Sequence, residues 1–129
     1  MAKFGYTQSQ WDRAKEEATE AMIARAKVRG MLTYTDLTRA ISAIRFNPED
    51  YALADLLGEI ATDEDAAGRG MLTVLVVHKV GDMEPGRGFY ELARQLGRTI
   101  TDPVKFWIEE LHFVHATWAP TGRLPASTV

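Results

Sequence analysis

One nearly uninterrupted apolar run constrains the fold of this chain more than any other feature. It extends from Met71 to Val77, is rich in valine, and ends at His78 and Lys79. A run of this kind is typical of a strand that is covered on both faces. It is far shorter than the roughly 20 apolar residues that a membrane-spanning helix needs. We therefore predict one buried strand here and no membrane partner.

Helical patterns occupy most of the remaining chain. Apolar residues recur at helical spacing, and capping residues, prolines and glycines mark the ends of the segments. The second helix has Thr35 as its expected N-cap, and the third begins with the capping pair Asn47-Pro48. The predicted helices are Thr7 or Ser9 to Gly30, Asp36–Ile44, Pro48–Ala66, Phe89–Leu96 and Pro103–Trp118.

Size and composition predict one domain and exclude several kinds of chemistry. The 129 residues, 46% of them hydrophobic, suit a single domain over 1–118 followed by a flexible tail over 119–129. The chain has no cysteine, which excludes disulfides, thiolate metal sites and cysteine nucleophiles. A net charge of −3 argues against non-specific coating of nucleic acid. The first residues contain no apolar signal segment, so a cytoplasmic location is expected.

The order of the predicted elements indicates a winged-helix type of domain. A short strand over Met31 to Tyr34 precedes the second and third helices, which form the helix-turn-helix. The strand over Leu72 to Lys79 and the glycine-rich loop after it form the small β wing. The predicted fold class is therefore α+β and mainly helical, with additional helices at the N- and C-terminal ends.

Two segments resemble the DNA-binding domain of alkylguanine-DNA alkyltransferases and alkyltransferase-like proteins. The segment from Gly30 to Ile41 is similar to the stretch that opens that domain. Leu75-Val76-Val77-His78-Lys79-Val80-Gly81 is similar to its Ile-Pro-Cys-His-Arg-Val-Val strand end, and Gly86-Arg87-Gly88-Phe89 to its wing. The resemblance covers about 30–97 and implies a winged-helix frame. Val77 has the position of the nucleophilic cysteine, so the resemblance does not extend to alkyl transfer.

The acidic third helix leaves the choice of partner open. Between Phe46 and Arg69 the chain has no lysine or arginine, while aspartate and glutamate accumulate. Like-charge repulsion opposes docking of this helix into a DNA groove. We predict a non-enzymatic binding module whose partner is a protein or a nucleic acid. The basic residues predicted to meet phosphates are Arg39, Arg45, Lys79 and Arg87.

Two further patterns point to small sites. Gly86, Arg87 and Gly88 precede a helix, and their backbone N–H groups suit an anion. The alternative function is a small metal-dependent nuclease or hydrolase centred on His78, Lys79 and Glu84. The pattern Glu-x-x-His in the last helix occurs once, too few copies for a carboxylate-bridged metal site, and His115 is expected as a hydrogen-bonded core or interface residue. No cofactor and no bound metal are predicted.

The last helix is apolar on two opposite sides. Its main stripe contains Val104, Trp107, Ile108, Leu111, Val114, His115 and Trp118. Phe106 and Phe113 lie roughly 180° from that stripe. Such a helix is either sandwiched within its own fold or covered by a second chain. A homodimer through Phe106 and Phe113, joined by Trp11 of the first helix, is one solution, and intramolecular burial is the other.

Overall fold

Helices dominate the computed structural model, which describes residues 4–78 and 87–119. Five α-helices, one short 3₁₀ helix and a two-stranded sheet make up the described part of the chain. Their bounds are α1 Gln8–Lys27, β1 Leu32–Thr33, α2 Tyr34–Ala40, α3 Tyr51–Ala66, the 3₁₀ helix Leu72–Leu75, β2 Val76–Val77, α4 Arg87–Gln95 and α5 Pro103–Trp118. The prediction of a mainly helical chain with a small β component is confirmed.

Side-chain caps fix the beginnings of α1 and α5, and Thr7 is one of the two starts predicted for the first helix. Thr7 accepts a hydrogen bond from the Gln10 N–H at 3.0 Å, and the Gln10 side chain accepts one from the Thr7 N–H at 2.8 Å. This reciprocal pair is a capping box. Asp102 caps α5 by accepting from the Lys105 N–H at 3.2 Å, with Pro103 at the first helical position.

The link between α2 and α3 is longer than predicted. α2 begins at Tyr34 with Thr33 as its cap, rather than Thr35, and ends at Ala40 instead of Ile44. α3 begins at Tyr51 because Asn47 and Asp50 form a turn ahead of it. The resulting ten-residue connection, 41–50, exceeds the three or four residues of an ordinary helix-turn-helix turn.

The central apolar run is not the continuous strand that we predicted. Leu72–Leu75 forms a 3₁₀ helix, and only Val76 and Val77 are in strand conformation. All six residues are at most 8% exposed. When every side chain of a short apolar run is buried, the sequence shows neither helical nor strand periodicity, so it does not distinguish a helix from a strand. Here the packing of the run against α1, α3 and α5 decides its conformation.

The two strands pair in parallel, with Leu32 opposite Val76 and Thr33 opposite Val77. This pairing ties the chain before α2 to the chain after α3. The wing-forming loop that we predicted after Val80 lies largely outside the described residues. The winged-helix form and the alkyltransferase resemblance therefore stay predictions, whereas the mainly helical α+β class is established.

The described elements share one hydrophobic core. The inner stripe of α1, from Trp11 to Ala26, packs with α3, the 3₁₀ helix and α5. Within α5 the buried face differs from the predicted stripe, since Val104 and Ile108 are 46% and 40% exposed while Glu110 is 6% exposed. Glu110 can be buried because its carboxylate accepts a hydrogen bond from the Met71 N–H at 2.7 Å.

His115 lies inside the fold, as expected from its position on the stripe. It is 6% exposed, and its Nε2 is 2.9 Å from the carbonyl oxygen of Gly30. The predicted tail, 119–129, is outside the described residues except for Ala119, which is buried. Among the helices of the described chain, none has both the length and the apolar character required to cross a membrane.

Candidate functional site

A cavity of about 290 Å³ opens between α3 and α4. Leucine and phenylalanine side chains form its apolar walls, and residues with hydroxyl, amide and carboxylate groups line it from four elements, α2, α3, the 3₁₀ helix and α4. The apolar lining residues include Leu53, Leu57, Phe89 and Leu92. The polar lining residues are Tyr34, Asp55, Thr73, Glu91 and Gln95. None of the described residues that line this cavity is a lysine or an arginine.

The helical periods of α3 and α4 place apolar and acidic groups side by side. Leu53 and Leu57 are four residues apart and lie on the buried side of α3, and Asp55 is exposed between them. Phe89 anchors α4 in the core, and Glu91 is exposed one half-turn further along. Both carboxylates therefore stand at the rim of an apolar cavity.

Gly58, in the middle of α3, keeps the space beside the cavity open. It lines the cavity and also a shallower depression that continues along α3 towards Asp63. A Cβ added at Gly58 would meet no atom within 4 Å. Glycine inside a helix costs about 1 kcal/mol relative to alanine, so packing alone does not account for this residue.

Thr73 is the most deeply placed polar group of the cavity. It belongs to the 3₁₀ helix and is 8% exposed. The residue is therefore almost fully enclosed by the fold where it lines the inner part of the cavity.

The shallower depression adds two more carboxylates, and one lysine partly neutralises them. Lys15 Nζ lies 2.7 Å from Asp63 Oδ2 and 3.4 Å from Glu59 Oε1. Partial burial lowers the pKa of Lys15, but the hydrogen bond and charge of Asp63, with those of Glu59, outweigh it and leave the pKa raised. Trp11 Nε1 also donates to Glu59 Oε1 at 3.1 Å, which fixes α1 against α3.

The residues of the predicted nuclease site are only partly within the described chain. His78 is exposed, and its ring lies 5.1 Å, centroid to centroid, from the ring of Tyr34 at the cavity. Lys79 and Glu84 are outside the described residues. Over the described ranges, no group of three or more histidine, aspartate or glutamate side chains is arranged to hold a metal ion.

The basic residues predicted to contact nucleic acid lie on separate elements. Arg39 is at the end of α2, Arg45 is in the connection to α3, and Arg87 begins α4. All three are exposed, and Arg39 has a long ion pair to Asp36 at 3.9 Å. The fourth, Lys79, lies outside the described residues. Within residues 4–78 and 87–119, no hydrogen bond or ion pair links these basic side chains to one another.

The predicted anion site is next to the acidic cavity. Gly86 lies outside the described residues, Arg87 begins α4, and Gly88 lines the cavity together with Asp55 and Glu91. The N-terminal end of a helix carries about half a positive charge. Because the site also contains the Arg87 guanidinium, an anion site at these residues stays a prediction.

The three residues of the predicted dimer interface have different environments. Trp11 is 2% exposed inside the core, so it offers no surface to a second chain. Phe106 is half-buried against Phe89, with ring centroids 6.0 Å apart. Phe113 is 49% exposed. Intramolecular burial thus accounts for Trp11 and Phe106, and dimerisation through Phe113 stays a prediction.

Sequence reasoning did not identify the cavity residues as a group. Asp55 was visible only as one member of an acidic run, and Thr73 and Tyr34 only as residues of β-prone segments. The local sequence contains no signal that brings Thr73 to Asp55 and Glu91, because their proximity depends on the packing of three elements.

No family model, curated protein or solved structure matches this chain. Val77, which has the position of the alkyltransferase nucleophile in the resemblance described above, is completely buried. The geometry of the cavity and its electrostatics are therefore the basis for a functional proposal.

Proposed function

We propose that this chain is a non-enzymatic binding module whose partner is a protein that docks a positively charged segment between α3 and α4. The observation that carries the proposal is the cavity, which combines apolar walls with the carboxylates of Asp55 and Glu91. A long basic side chain complements both features, because its aliphatic stem suits the apolar walls and its cationic end suits the carboxylates. A protein segment can place such a side chain there.

The charge of the lining residues favours a cationic partner. The cavity and the adjoining depression are lined by four carboxylates and one ammonium among the described residues. The carboxylates belong to Asp55, Glu59, Asp63 and Glu91, and the ammonium to Lys15. Carboxylates thus outnumber cationic side chains among the described residues that line this surface. Such a field attracts basic groups and speeds their association.

The same charge argues against nucleic acid at this face. Protein affinity for nucleic acid depends on several lysine or arginine side chains that neutralise phosphates together. Here the groove between α3 and α4 would repel phosphates, and the exposed Arg39, Arg45 and Arg87 lie on three different elements. Of the two partner classes left open by the sequence, the protein is the better supported.

Selection from a random peptide library displayed on phage tests this function. The wild-type chain is immobilised beside the double variant Asp55→Lys/Glu91→Lys and the charge-matched control Glu16→Lys/Glu109→Lys. Both control positions are exposed glutamates outside the cavity. We expect the wild type and the control to enrich peptides in which arginine or lysine neighbours an apolar residue. We expect the cavity variant not to retain those peptides.

Two results would contradict the proposal. One is enrichment of peptides without any preference for basic residues. The other is equal retention of the enriched peptides by the cavity variant, which would place their binding elsewhere. Circular dichroism of all three proteins establishes that they are equally folded before the comparison.

A further inference from the structure

We propose that a second copy of this chain binds along the exposed face of α5, so that two α5 helices pack antiparallel. We define the α5 face by Val104, Lys105, Ile108 and Glu109. On this face an exposed apolar pair lies beside one positive and one negative side chain at the same spacing. A two-fold axis makes such a face complementary to itself. The inference does not depend on the cavity or on the function proposed for it.

The apolar part of the α5 face is open to solvent. Val104 and Ile108 are four residues apart on one side of the helix, and they are 46% and 40% exposed. Trp107 and Leu111 adjoin them and are half-buried against the core. Phe113, nine residues after Val104, lies on the opposite side of α5. The α5 face is therefore a different surface from the one predicted around Phe113.

The two charged residues lie together along one edge of the apolar pair. Lys105 follows Val104 and Glu109 follows Ile108, so both charges are displaced to the same side. Both are exposed, and neither takes part in the ion pairs among residues 4–78 and 87–119. When two copies pack antiparallel about a two-fold axis, this edge of one helix meets the same edge of the other. Lys105 then faces the partner's Glu109, and Glu109 faces the partner's Lys105.

One register satisfies the charged and the apolar residues together. An α-helix rises about 1.5 Å per residue, so an axis level with Trp107 places Lys105 and the partner's Glu109 at the same height. The apolar side chains then alternate along the seam at steps of about 3 Å, in the order Val104, the partner's Ile108, Ile108 and the partner's Val104. Side chains that alternate in this way can interdigitate, as helix packing requires.

A parallel pair of α5 helices lacks this complementarity. Its two-fold axis runs along the helices and brings opposite edges together. Lys105 and Glu109 would then face the edge formed by Trp107 and Leu111, which carries no opposite charge. The pattern of charges thus selects the antiparallel arrangement.

The size of the α5 face predicts weak pairing that depends on concentration. A stable interface buries about 800 Å² on each partner, far more than two partly exposed aliphatic side chains provide. We expect a dissociation constant on the order of 100 μM, as for a transient complex. None of the described residues that line the cavity belongs to α5, so the pairing does not use the cavity.

Sedimentation equilibrium of the full chain from about 10 μM to about 1 mM tests the inference. We expect wild type to convert from monomer to dimer over this range. Ile108→Asp places a charge in the middle of the seam and should raise the dissociation constant at least about tenfold. The matched control is Tyr51→Asp, which adds the same charge in place of an apolar residue of α3 that is 88% exposed. It should associate as wild type does.

An exchange of charges tests the antiparallel register. Lys105→Glu alone and Glu109→Lys alone bring like charges together, and each should weaken association about fivefold. The double variant Lys105→Glu/Glu109→Lys restores both contacts between opposite charges and should associate as tightly as wild type. Glu109 does not line the cavity, so its substitution leaves the peptide site unchanged.

Four results would overturn the inference, once circular dichroism has shown that the variants are folded. The first is a wild-type chain that stays monomeric at the highest concentration. The second is association of Ile108→Asp that is as tight as that of wild type. The third is a double charge variant that stays as weak as the single ones. The fourth is equal weakening by Tyr51→Asp, which would attribute the effect to added negative charge rather than to the α5 face.

Discussion

The Arg98 guanidinium donates two hydrogen bonds to the Glu110 carboxylate, from Nη1 to Oε1 at 2.6 Å and from Nη2 to Oε2 at 3.2 Å. Arg98 also donates to Asp65 of α3, and Glu110 accepts from the Met71 N–H. The hydrogen bond to Glu110, together with that to Asp65, outweighs burial and raises the pKa of Arg98. This network joins α3, α5 and the start of the 3₁₀ helix, and so it positions Thr73 at the cavity.

Replacing Glu110 with glutamine should destabilise the fold. Glu110→Gln leaves the Arg98 charge partly buried without its main carboxylate, and we expect a loss of about 3 kcal/mol in the free energy of unfolding. Urea unfolding followed by tryptophan fluorescence measures it. The neighbouring exposed Glu109→Gln is the control and should change stability by less than about 0.5 kcal/mol. Equal effects of the two substitutions would show that the network does not stabilise the fold.

Adding a methyl group at Gly70 should be more damaging than adding one at Gly68. Both glycines have positive φ, +86° and +79°, so alanine is strained at either position. At Gly70, however, the new Cβ would lie 2.7 Å from Phe113 Cδ2, whereas at Gly68 nothing lies within 4 Å. We expect Gly70→Ala to lose about 1–3 kcal/mol more than Gly68→Ala in thermal or urea unfolding. A similar loss for both would mean that Phe113 moves aside freely.

The contribution of Glu17 to stability should depend on pH. Its carboxylate accepts from the Ser42 hydroxyl at 2.5 Å and from the Ser42 and Ala43 N–H groups at 2.9 Å each. The bond from the Ser42 hydroxyl, followed by that from the Ala43 N–H, lowers the pKa of Glu17. A carboxyl group whose pKa is lower in the folded state stabilises the fold above its unfolded-state pKa, and that contribution is lost as the pH falls through the folded value.

We therefore expect Glu17→Gln to be less stable than wild type at pH 7, with the difference shrinking towards pH 3. Urea unfolding at a series of pH values measures both proteins. Glu16→Gln, which removes the same charge from a neighbouring exposed residue, controls for net charge. A difference between Glu17→Gln and wild type that is the same at every pH would disprove the linkage.

Alanine at Gly58 should raise stability and weaken binding. The helix gains about 1 kcal/mol because alanine is a better helix former and its Cβ meets no atom within 4 Å. The methyl group narrows the space that Gly58 leaves open beside the cavity, so affinity for basic peptides should fall. Urea unfolding and peptide titration of the same preparation measure the two effects. A variant that gains stability and binds as tightly as wild type would show that this space is not used.

Local sequence rules predicted the beginnings of α1 and α5 but not those of α2 and α3, whose caps are Thr33 and Asp50. Thr7 was one of two starts that the sequence allowed for α1. α2 ends at Ala40 because the backbone N–H groups of Ser42 and Ala43, just after it, donate to the Glu17 carboxylate of α1 instead of continuing the helix. The 3₁₀ conformation of Leu72–Leu75 likewise follows from burial among three helices. Both features depend on contacts between residues that are distant in the sequence.

The candidate site was less predictable for the same reason. The acidity of α3 was evident from the sequence, where it argued against a DNA-reading helix, but acidity alone did not indicate a cavity. Gly58 lines the cavity without a side chain, and Glu110 accepts a hydrogen bond from the Met71 N–H at the start of the 3₁₀ helix. Neither relationship produces a pattern in the local sequence.

Fluorescence anisotropy with two labelled probes in one low-salt buffer tests the central claim most directly. One probe is an arginine-containing peptide enriched from the library, and the other is duplex DNA. The account predicts that the peptide binds at least about tenfold more tightly than the DNA and loses its binding to Asp55→Lys/Glu91→Lys. Tighter binding of the DNA, or undiminished peptide binding by that variant, would contradict it.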